Sequence, residues 1–386
     1  MATNKNDKTL NVPHLRFPEF SGEWYSYPLT DFMSFKNGMN PDAKRFGRGI
    51  KFISVMDILN NQFICYDNIR ASVEVIEGDI ETYGVNYGDI LFQRSSETLE
   101  DVGQANVYLD RKPAVFGGFV IRGKSKGNYH PVFFRYLLAS PTARKRIIVK
   151  GAGAQHFNIG QDGLSRVCLN IPSIQEQEKI AKLFECVDTR IATQNKIIEK
   201  YESLIKGIAQ HCIKESTSGN TYVKLGDICQ ITTGKLDANE QVDNGIYPFF
   251  TCAEQPFKID SFAFDTEALL ISGNGANLGY INYYNGKFNA YQRTYVLDIF
   301  SENIQYIKWA LKVLLPKRIA IEKSSSNTPY IVLSTLSDLR LPIPNKSNQC
   351  HIAKLMQSLE RKLSSQIALN GSYNKLKQYL LRQMFI

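Results

Sequence analysis

One segment of this sequence occurs twice. Residues 169–210 return as residues 341–382, 172 positions later and without a gap, and 11 of the 42 aligned positions are identical. The spacing is too long for a solenoid, whose repeats run about 20–50 residues. The repeat therefore predicts a duplicated module, which is typical of a protein that presents two equivalent sites to a partner with two equivalent parts.

Each copy of the repeat has the pattern of a long helix. In alternating steps of four and three residues from Ile180, nine of ten positions are apolar or aromatic, which is typical of a coiled-coil seam. A glutamine and a tyrosine occur at the same steps in both copies. Because a polar residue in an apolar seam fixes register at a cost in stability, we expect these helices to recognise each other or a common partner. The residues expected to form this helix-pair or partner interface are Ile180, Phe184, Val187, Ile191, Gln194, Tyr201, Ile352, Met356, Leu359, Leu363, Gln366 and Tyr373.

The segments before the two helices are rich in short strands and turns, and they match each other only in outline. A common scaffold that carries two different specificities has this pattern. Within the second helix, Gly371 costs about 1 kcal/mol relative to alanine, so we expect that helix to be the less regular one. The expected parts are a first globular domain (1–170), a first long helix (171–218), a second globular domain (219–342) and a second long helix (343–386).

The charge of the chain favours an anionic partner. The formal net charge is +9 and the pI is near 9.0, and residues 111–161 contain ten Lys or Arg but no Asp or Glu. Such a stretch, interleaved with Phe, Tyr and Gly, is typical of a surface that follows nucleic-acid phosphates. The alternative is a solvated charged face, which usually mixes both signs. Arg144, Lys145 and Arg146 are expected to hold phosphates rather than to read bases.

Three short motifs suggest an enzyme, but each lacks its structural context. Gly118–Ser125 fits a phosphate-binding loop, yet its interior is typical of a strand and no helix is expected after it. Gly273–Gly275 and Asn327–Tyr330 resemble parts of an amino-methyltransferase, yet a turn and a strand are expected where the cofactor needs a helix. A self-contained adenine-N6 DNA methyltransferase stays the alternative interpretation.

Several other classes of protein are not expected. No apolar run reaches the roughly 18–20 residues that span a bilayer, so no membrane partner is expected. The seven cysteines form no CxxC pair, which is typical of reduced thiols in a cytoplasmic protein. No histidine lies at metal-ligand spacing from a cysteine or another histidine, so no metal site is expected.

Taken together and in order, the motifs of this chain resemble those of a specificity subunit of a type I restriction–modification system, over nearly the whole length. The motifs that carry the resemblance are Val12–Trp24, Gly88–Phe92, Leu169–Pro172 followed by Gln177-x-x-Ile180-Ala181, Leu225–Asp227, and Leu341–Pro344 followed by Gln349-x-x-Ile352-Ala353. No motif is diagnostic alone, and their duplication gives them their weight.

The resemblance implies an α+β protein in which two target-recognition domains alternate with two long helices that pair as an antiparallel coiled coil. Each domain would read one half of a bipartite, asymmetric target in double-stranded DNA. The helices would set the spacer length and dock two methyltransferase subunits, and two ATP-dependent restriction subunits would complete the nuclease. The chain itself would be non-catalytic and hold no cofactor, because S-adenosylmethionine, ATP and Mg²⁺ would belong to the partners.

Base-reading loops are expected where the two halves diverge inside their shared frame. Asn and Gln side chains pair with adenine, and Arg with guanine, in the major groove. The residues expected in these loops are Lys36, Asn37, Arg94, Ser95, Ser96, Gly117, Gly118, Gln155 and His156 in the first domain, and Lys235, Asn274, Asn277, Gln292, Arg293, Asn327 and Thr328 in the second.

Overall fold

The chain folds into two compact units. The first unit comprises Met1–Thr193 and Asn370–Ile386, and the second comprises Gln194–Leu369. No helix in the described part of the chain is long and apolar enough to cross a membrane. The computed structural model describes residues 11–153, 156–215, 221–323 and 330–386.

The first unit consists of short strands and short helices. Its strands are β1 (Tyr25–Pro28), β2 (Met33–Asn37), β3 (Phe46–Ile53), β4 (Ser72–Val73), β5 (Gly84–Val85), β6 (Ile90–Gln93), β7 (Ser95–Ser96), β8 (Ala105–Val107), β9 (Ala114–Phe116), β10 (Val120–Ser125), β11 (Phe157–Asn158) and β12 (Cys168–Ile171). Its helices are α1 (Val55–Asn60), α2 (Asp79–Tyr83), α3 (Pro131–Ala139), α4 (Pro141–Ile148) and α5 (Gln161–Ser165). The long helix α6 (Ile174–Glu215) begins in this unit and continues into the second.

The second unit has fewer and longer strands. They are β13 (Thr221–Lys224), β14 (Gln230–Thr233), β15 (Tyr247–Phe250), β16 (Phe257–Ile259), β17 (Phe264–Ser272), β18 (Ile281–Ala290), β19 (Thr294–Asp298) and β20 (Arg340–Ile343). Its helices are α7 (Ile304–Lys323), α8 (Leu333–Ser337) and α9 (Lys346–Gln383), which ends in the first unit. Helix α9 runs through Gly371 without a break.

The main sheet of each unit separates two hydrophobic cores. The strand order is β2-β10-β6-β8 in the first unit and β14-β19-β17-β18-β15-β16 in the second. Successive side chains of a strand point to opposite faces, so Ile90 and Leu91 of β6 enter different cores, as do Leu269 and Leu270 of β17. This explains why both segments are apolar without alternation.

A pair of antiparallel strands closes each unit just before its long helix. Tyr25 of β1 lies opposite Ile171 of β12, and Thr221 of β13 lies opposite Ile343 of β20. A proline directly follows β12 and β20. Because proline has no N–H to donate to the ladder, it ends the strand pairing and leads into the helix.

The first turn of α6 is fixed to the first unit by a buried glutamine. Gln177 accepts the backbone N–H of His130 at 3.0 Å and donates to the carbonyl of Pro172 at 3.1 Å. His130 immediately precedes α3, so one side chain joins the start of α6 to the closing strand and to α3. The neighbouring carboxylate of Glu176, also buried, forms an ion pair with Arg16 at 2.8 Å.

The first turn of α9 repeats this glutamine joint in the second unit. Gln349, which is also buried, accepts the N–H of Asn303 at 3.0 Å and donates to the carbonyl of Pro344 at 2.8 Å. Asn303 immediately precedes α7. Asn345 caps α9 by accepting the N–H of Asn348 at 2.9 Å. Both joint glutamines belong to the identical positions of the sequence repeat, which therefore preserves the attachment of each helix to its unit.

Within the first unit, the start of α6 packs antiparallel against the end of α9. The ring centroids of Phe184 and of Phe385, just past the end of α9, lie 5.7 Å apart, and Lys377 Nζ lies 2.7 Å from Asp188 Oδ1. Residue numbers rise along α6 as they fall along α9, which defines the direction. Tyr136 of α3 donates a hydrogen bond of 2.7 Å to Asp188 and ties this helix pair to the globular part.

Within the second unit, later turns of the same helices pack in the same sense. The side-chain amide of Gln194 donates to Gln366 Oε1 at 2.7 Å. Further along α6, Ile205 and Ala209 share a core with Met356 of α9. The two glutamines of the seam therefore bond to each other. The predicted fold class, α+β with two globular parts and two long helices that pair antiparallel, is confirmed.

Replacing Gln177 with methionine keeps the side-chain length but leaves the N–H of His130 and the carbonyl of Pro172 without their partner. Each unsatisfied buried group costs about 1–3 kcal/mol, so we expect the free energy of unfolding of the first unit to fall by about 2–4 kcal/mol, as measured by urea denaturation. The matched control is Gln175→Met on the same turn, where the side chain is exposed. Equal effects of the two substitutions would contradict the stabilising role of the Gln177 hydrogen bonds.

Candidate nucleic-acid interface

In the second unit, three loops meet beside the start of β19. The N–H of Gln292 donates to the carbonyl of Leu236 at 3.0 Å, and the N–H of Gly273 donates to the carbonyl of Arg293 at 2.8 Å. Behind these loops, burial raises the pKa of the Tyr295 hydroxyl, which donates to the carbonyl of Ile331 at 2.9 Å. The loops carry the predicted residues Lys235, Asn274, Asn277, Gln292 and Arg293.

The first unit has the same arrangement beside the start of β10. The N–H of Arg94 donates to the carbonyl of Phe119 at 2.9 Å, and the N–H of Met39 donates to the carbonyl of Phe116 at 3.0 Å. The segment after β11 joins them, because the N–H of Ile159 donates to the carbonyl of Arg94 at 2.9 Å. Of the residues predicted for loops, Arg94, Gly117 and Gly118 lie in these loops. Lys36 and Asn37 instead end strand β2, and Ser95 and Ser96 form strand β7, because they pair with neighbouring strands.

Five backbone hydrogen bonds recur at equivalent positions of the two units and define one central turn in each, residues 117–119 and residues 291–293. In the first unit the bonds, from donor N–H to acceptor carbonyl, are Gly38 to Val120 (3.1 Å), Gly117 to Ile53 (3.0 Å), Val120 to Gly117 (2.9 Å), Arg94 to Phe119 (2.9 Å) and Ile159 to Arg94 (2.9 Å). In the same order, the equivalent bonds of the second unit are Gly234 to Thr294 (3.2 Å), Tyr291 to Phe250 (2.9 Å), Thr294 to Tyr291 (2.8 Å), Gly273 to Arg293 (2.8 Å) and Ile331 to Gly273 (2.9 Å). The frame is the same, but the central turn is Gly-Gly-Phe in the first unit and Tyr-Gln-Arg in the second.

In each unit, the chain passes very close to the backbone of the central turn at a glycine that directly follows a strand, β2 in the first unit and β14 in the second. A Cβ atom on Gly38 would lie 2.1 Å from the carbonyl oxygen of Gly117, and a Cβ atom on Gly234 would lie 1.9 Å from the carbonyl oxygen of Ala290. Both distances are far inside van der Waals contact. Only glycine therefore fits where the backbones cross, and the position of the central turn depends on it.

The predicted base-reading residues differ in their accessibility. The exposed ones are Lys36, His156, Lys235, Gln292 and Arg293. Those that are partly or fully buried are Asn37, Arg94, Ser95, Ser96, Gly117, Gly118, Asn274 and Asn277. Arg94 donates to the carbonyl of Gly118 at 3.3 Å and Asn277 to that of Cys252 at 3.0 Å, so these two side chains brace the loops. Gln155, Asn327 and Thr328 lie outside the described residues.

The basic stretch 111–161 is divided between the interior and the surface. Arg144 donates to two backbone carbonyls at 2.9 and 2.6 Å, and Arg146 donates to a third at 2.9 Å. Burial lowers the pKa of Arg122 and of Arg144. Lys145 is exposed, whereas Arg144 and Arg146 are half-buried. Of the three residues predicted to bind phosphates, Lys145 is the one with an exposed side chain. Charge composition alone does not show this difference.

The residues predicted for the helix interface pack inside their own units. Each of the 12 is buried or half-buried. Ile180, Phe184 and Val187 share the core of the first unit with Phe385, and Met356 lies in a core of the second unit. These faces of α6 and α9 therefore lie against the rest of their own units.

The enzyme-like motifs do not have the structures that their chemistry needs. Most of the motif Gly118–Ser125 is strand β10 itself, and Gly273 lies in the loop between strands β17 and β18. Neither glycine motif opens a helix, so the alternative of a self-contained methyltransferase is not supported. In the described ranges, no group of three or more His, Cys, Asp or Glu side chains could hold a metal ion.

Sequence reasoning missed two apolar residues, one in the first central turn and one beside it. Phe119 and Met56 are both exposed, and they line the same surface depression. In the sequence, Phe119 stands in an apolar run that is typical of a core strand. Its accessibility depends on a turn whose hydrogen-bond partners lie far away in the chain, so no local signal marks it.

The two units, built on one frame and each attached to a long helix by the same joint, define a duplicated recognition protein. The chain belongs to the family described as the type I restriction modification DNA specificity domain, whose model matches residues 21–203 and 217–370. The resemblance to specificity subunits of type I restriction–modification systems is thereby confirmed.

Named relatives agree with this family. The type I restriction enzyme EcoDI specificity subunit of Escherichia coli is 41% identical over 143 residues, which is 37% of this chain and 32% of that protein. The type I restriction enzyme EcoKI specificity subunit of Escherichia coli strain K12 is 24% identical over 181 residues, 45% of this chain and 38% of that protein. The chain thus spans less than half the length of either relative.

Solved structures show the same fold. The S subunit of a type I restriction–modification system from M. genitalium matches with a TM-score of 0.62 and 18% identity, over 97% of this chain and 99% of that one. A chain from a study of complex assembly and conformational transition of the type I R-M system matches with a TM-score of 0.59 and 15% identity, over 93% and 96%. The frame is therefore kept while most side chains differ.

Adding a methyl group at Gly38 or at Gly234 is expected to displace a central turn. Because a Cβ atom would overlap a backbone carbonyl that cannot move aside, we expect Gly38→Ala and Gly234→Ala each to lower the free energy of unfolding by about 1–3 kcal/mol, measured by thermal unfolding. The control is Gly207→Ala in α6, where nothing lies within 4 Å. That substitution should raise stability slightly, since alanine favours helix.

Proposed function

We propose that this chain is the DNA specificity subunit of a type I restriction–modification complex and reads a bipartite, asymmetric target in double-stranded DNA. The observation that carries the proposal is the pair of central turns, which share five backbone hydrogen bonds but differ in all three residues. Two identical turns would read one sequence twice. Two different turns on one frame fit an asymmetric target in which each unit reads one half.

The exposed side chains at the loops have the chemistry of DNA recognition. Gln292 suits adenine and Arg293 suits guanine, because each can form two hydrogen bonds to that base in the major groove. Lys36, Lys145 and Lys235 are exposed and suit phosphates, which position a protein on DNA without reading its sequence. Gln155, Asn327 and Thr328 remain proposed contacts by their place in the sequence.

The helices also have the features of a docking site for two copies of one partner. Leu204 of α6 and Leu376 of α9 occupy equivalent positions of the repeat and are 50% and 44% exposed. Leucine is identical at both positions although neither is buried in the fold. An exposed apolar residue preserved across the duplication is expected where a protein partner covers it. We assign that role to two methyltransferase subunits, which in turn recruit two restriction subunits.

The chain is proposed to act without catalysis of its own. Neither glycine motif can cradle a cofactor, as described above, so S-adenosylmethionine, ATP and Mg²⁺ are assigned to the partner subunits. The chain is proposed to act in the cytoplasm together with these partners. The paired helices are proposed to set the spacer between the half-targets.

Methyl transfer to DNA is expected to require both components. The purified chain alone should bind no S-adenosylmethionine in calorimetric titration and should methylate no DNA. With type I methyltransferase subunits added, adenine N6 methylation should occur at one bipartite sequence, read by sequencing that detects the modified base. Methyl transfer by the chain alone would overturn the proposal.

The docking surface is tested in the same preparation. Leu204→Glu combined with Leu376→Glu should sharply reduce recovery of the methyltransferase subunits with the chain, because burying an unpaired carboxylate is costly. The control pair, Lys206→Glu with Gln378→Glu, changes exposed positions two residues further along each helix, on the opposite face. Recovery should be unchanged by the control. An equal loss in both pairs would argue for a general charge effect.

A further inference from the structure

Phe119 and Arg293 occupy the same place in the two central turns. The carbonyl of Phe119 accepts from Arg94 and that of Arg293 accepts from Gly273, each one residue before the strand that follows the turn. Both side chains are exposed. At this shared place, the first unit has an apolar ring and the second has a guanidinium group, so the two units differ in chemistry there.

The surroundings of Phe119 form an apolar depression rather than a core. Its volume is about 410 Å³, and its lining includes Met39, Phe46, Phe52 and Met56. Phe119, Met56 and Phe46 are 69%, 60% and 42% exposed. Clustered exposed apolar side chains of this size mark a contact surface.

The glycines of the first central turn hold Phe119 over this depression. A Cβ atom on Gly117 would lie 2.7 Å from the ring of Phe52, and one on Gly118 would lie 2.0 Å from the side-chain oxygen of Asn40. The turn therefore lies directly on the floor of the depression. Phe46 packs edge to face against Phe52, with ring centroids 5.1 Å apart, and stiffens that floor.

One base-edge group in the major groove is apolar, namely the 5-methyl group of thymine, and side chains such as phenylalanine contact it. We infer that Phe119, beside Met56, reads a thymine through its 5-methyl group, whereas Arg293 at the equivalent place reads a guanine. This inference rests on the proposed function and adds the base that the first turn selects. It also assigns Phe119 as a specificity-determining residue.

Removing single methyl groups from the target tests this directly. The complex of the full chain with its methyltransferase subunits is first used to define the target by methylation sequencing. Its affinity is then measured on duplexes in which each thymine of the half-target read by the first unit is replaced in turn by uracil. At one position, the wild-type complex should bind uracil about fourfold more weakly, the loss expected for one buried methyl group.

The variants separate this contact from general effects. Phe119→Ala should abolish the difference between thymine and uracil at that position, and Phe119→Leu should retain most of it. Arg293→Ala should leave the uracil effect intact and relax the requirement for guanine in the other half-target. Because Phe119 is mostly exposed, the thermal midpoint of Phe119→Ala should match that of the wild type.

Three outcomes would overturn the inference. They are a first half-target without thymine, a wild-type complex indifferent to every uracil, and an unchanged uracil effect in Phe119→Ala. An aromatic wedge between base steps would produce the second of these, because such a contact ignores the methyl group. Failure of the complex to methylate or bind any specific sequence would instead remove the proposed function itself, and the inference with it.

Discussion

A buried glutamine in the first turn of each long helix is the interaction on which the rest of the structure depends. Gln177 and Gln349 each accept an N–H at the start of a globular helix and donate to the carbonyl of the proline that ends the closing strand. Both side-chain amide groups are buried and hydrogen-bonded. Detaching either helix from its unit would therefore leave buried polar groups without partners and would also lose packing contacts. Each globular part is thereby attached firmly to its helix, and the orientation of its loops follows from that attachment.

The two units separate a constant frame from a variable surface. Backbone hydrogen bonds build the frame, and glycines at 38 and 234 permit the crossing that positions each central turn. Backbone bonds do not depend on side-chain identity, so the turn residues are free to differ. Gly-Gly-Phe and Tyr-Gln-Arg thus occupy one geometry. One duplicated frame with two different turns is the physical basis of the proposal that the two units read unlike half-targets.

Sequence reasoning predicted the features that depend on local periodicity. The seam glutamines Gln194 and Gln366 were visible because their spacing repeats, and the structure pairs them at 2.7 Å. The roles of Arg144 and Arg146 were not visible, because carbonyls distant in the sequence bind their guanidinium groups. The equivalence of Phe119 and Arg293 was hidden for the same reason. It is set by bonds between segments whose offsets differ in the two halves.

We propose that the paired helices set the spacer between the two half-targets. The boundary between the units cuts these helices after Thr193 and after Leu369. Inserting one matched heptad at both points keeps the seam in phase and lengthens each helix by about 10 Å, or about 3 base pairs of DNA. Methylation sequencing should then find both half-targets unchanged and the spacer longer by about 3 base pairs. Robust methylation with the original spacer would contradict the account.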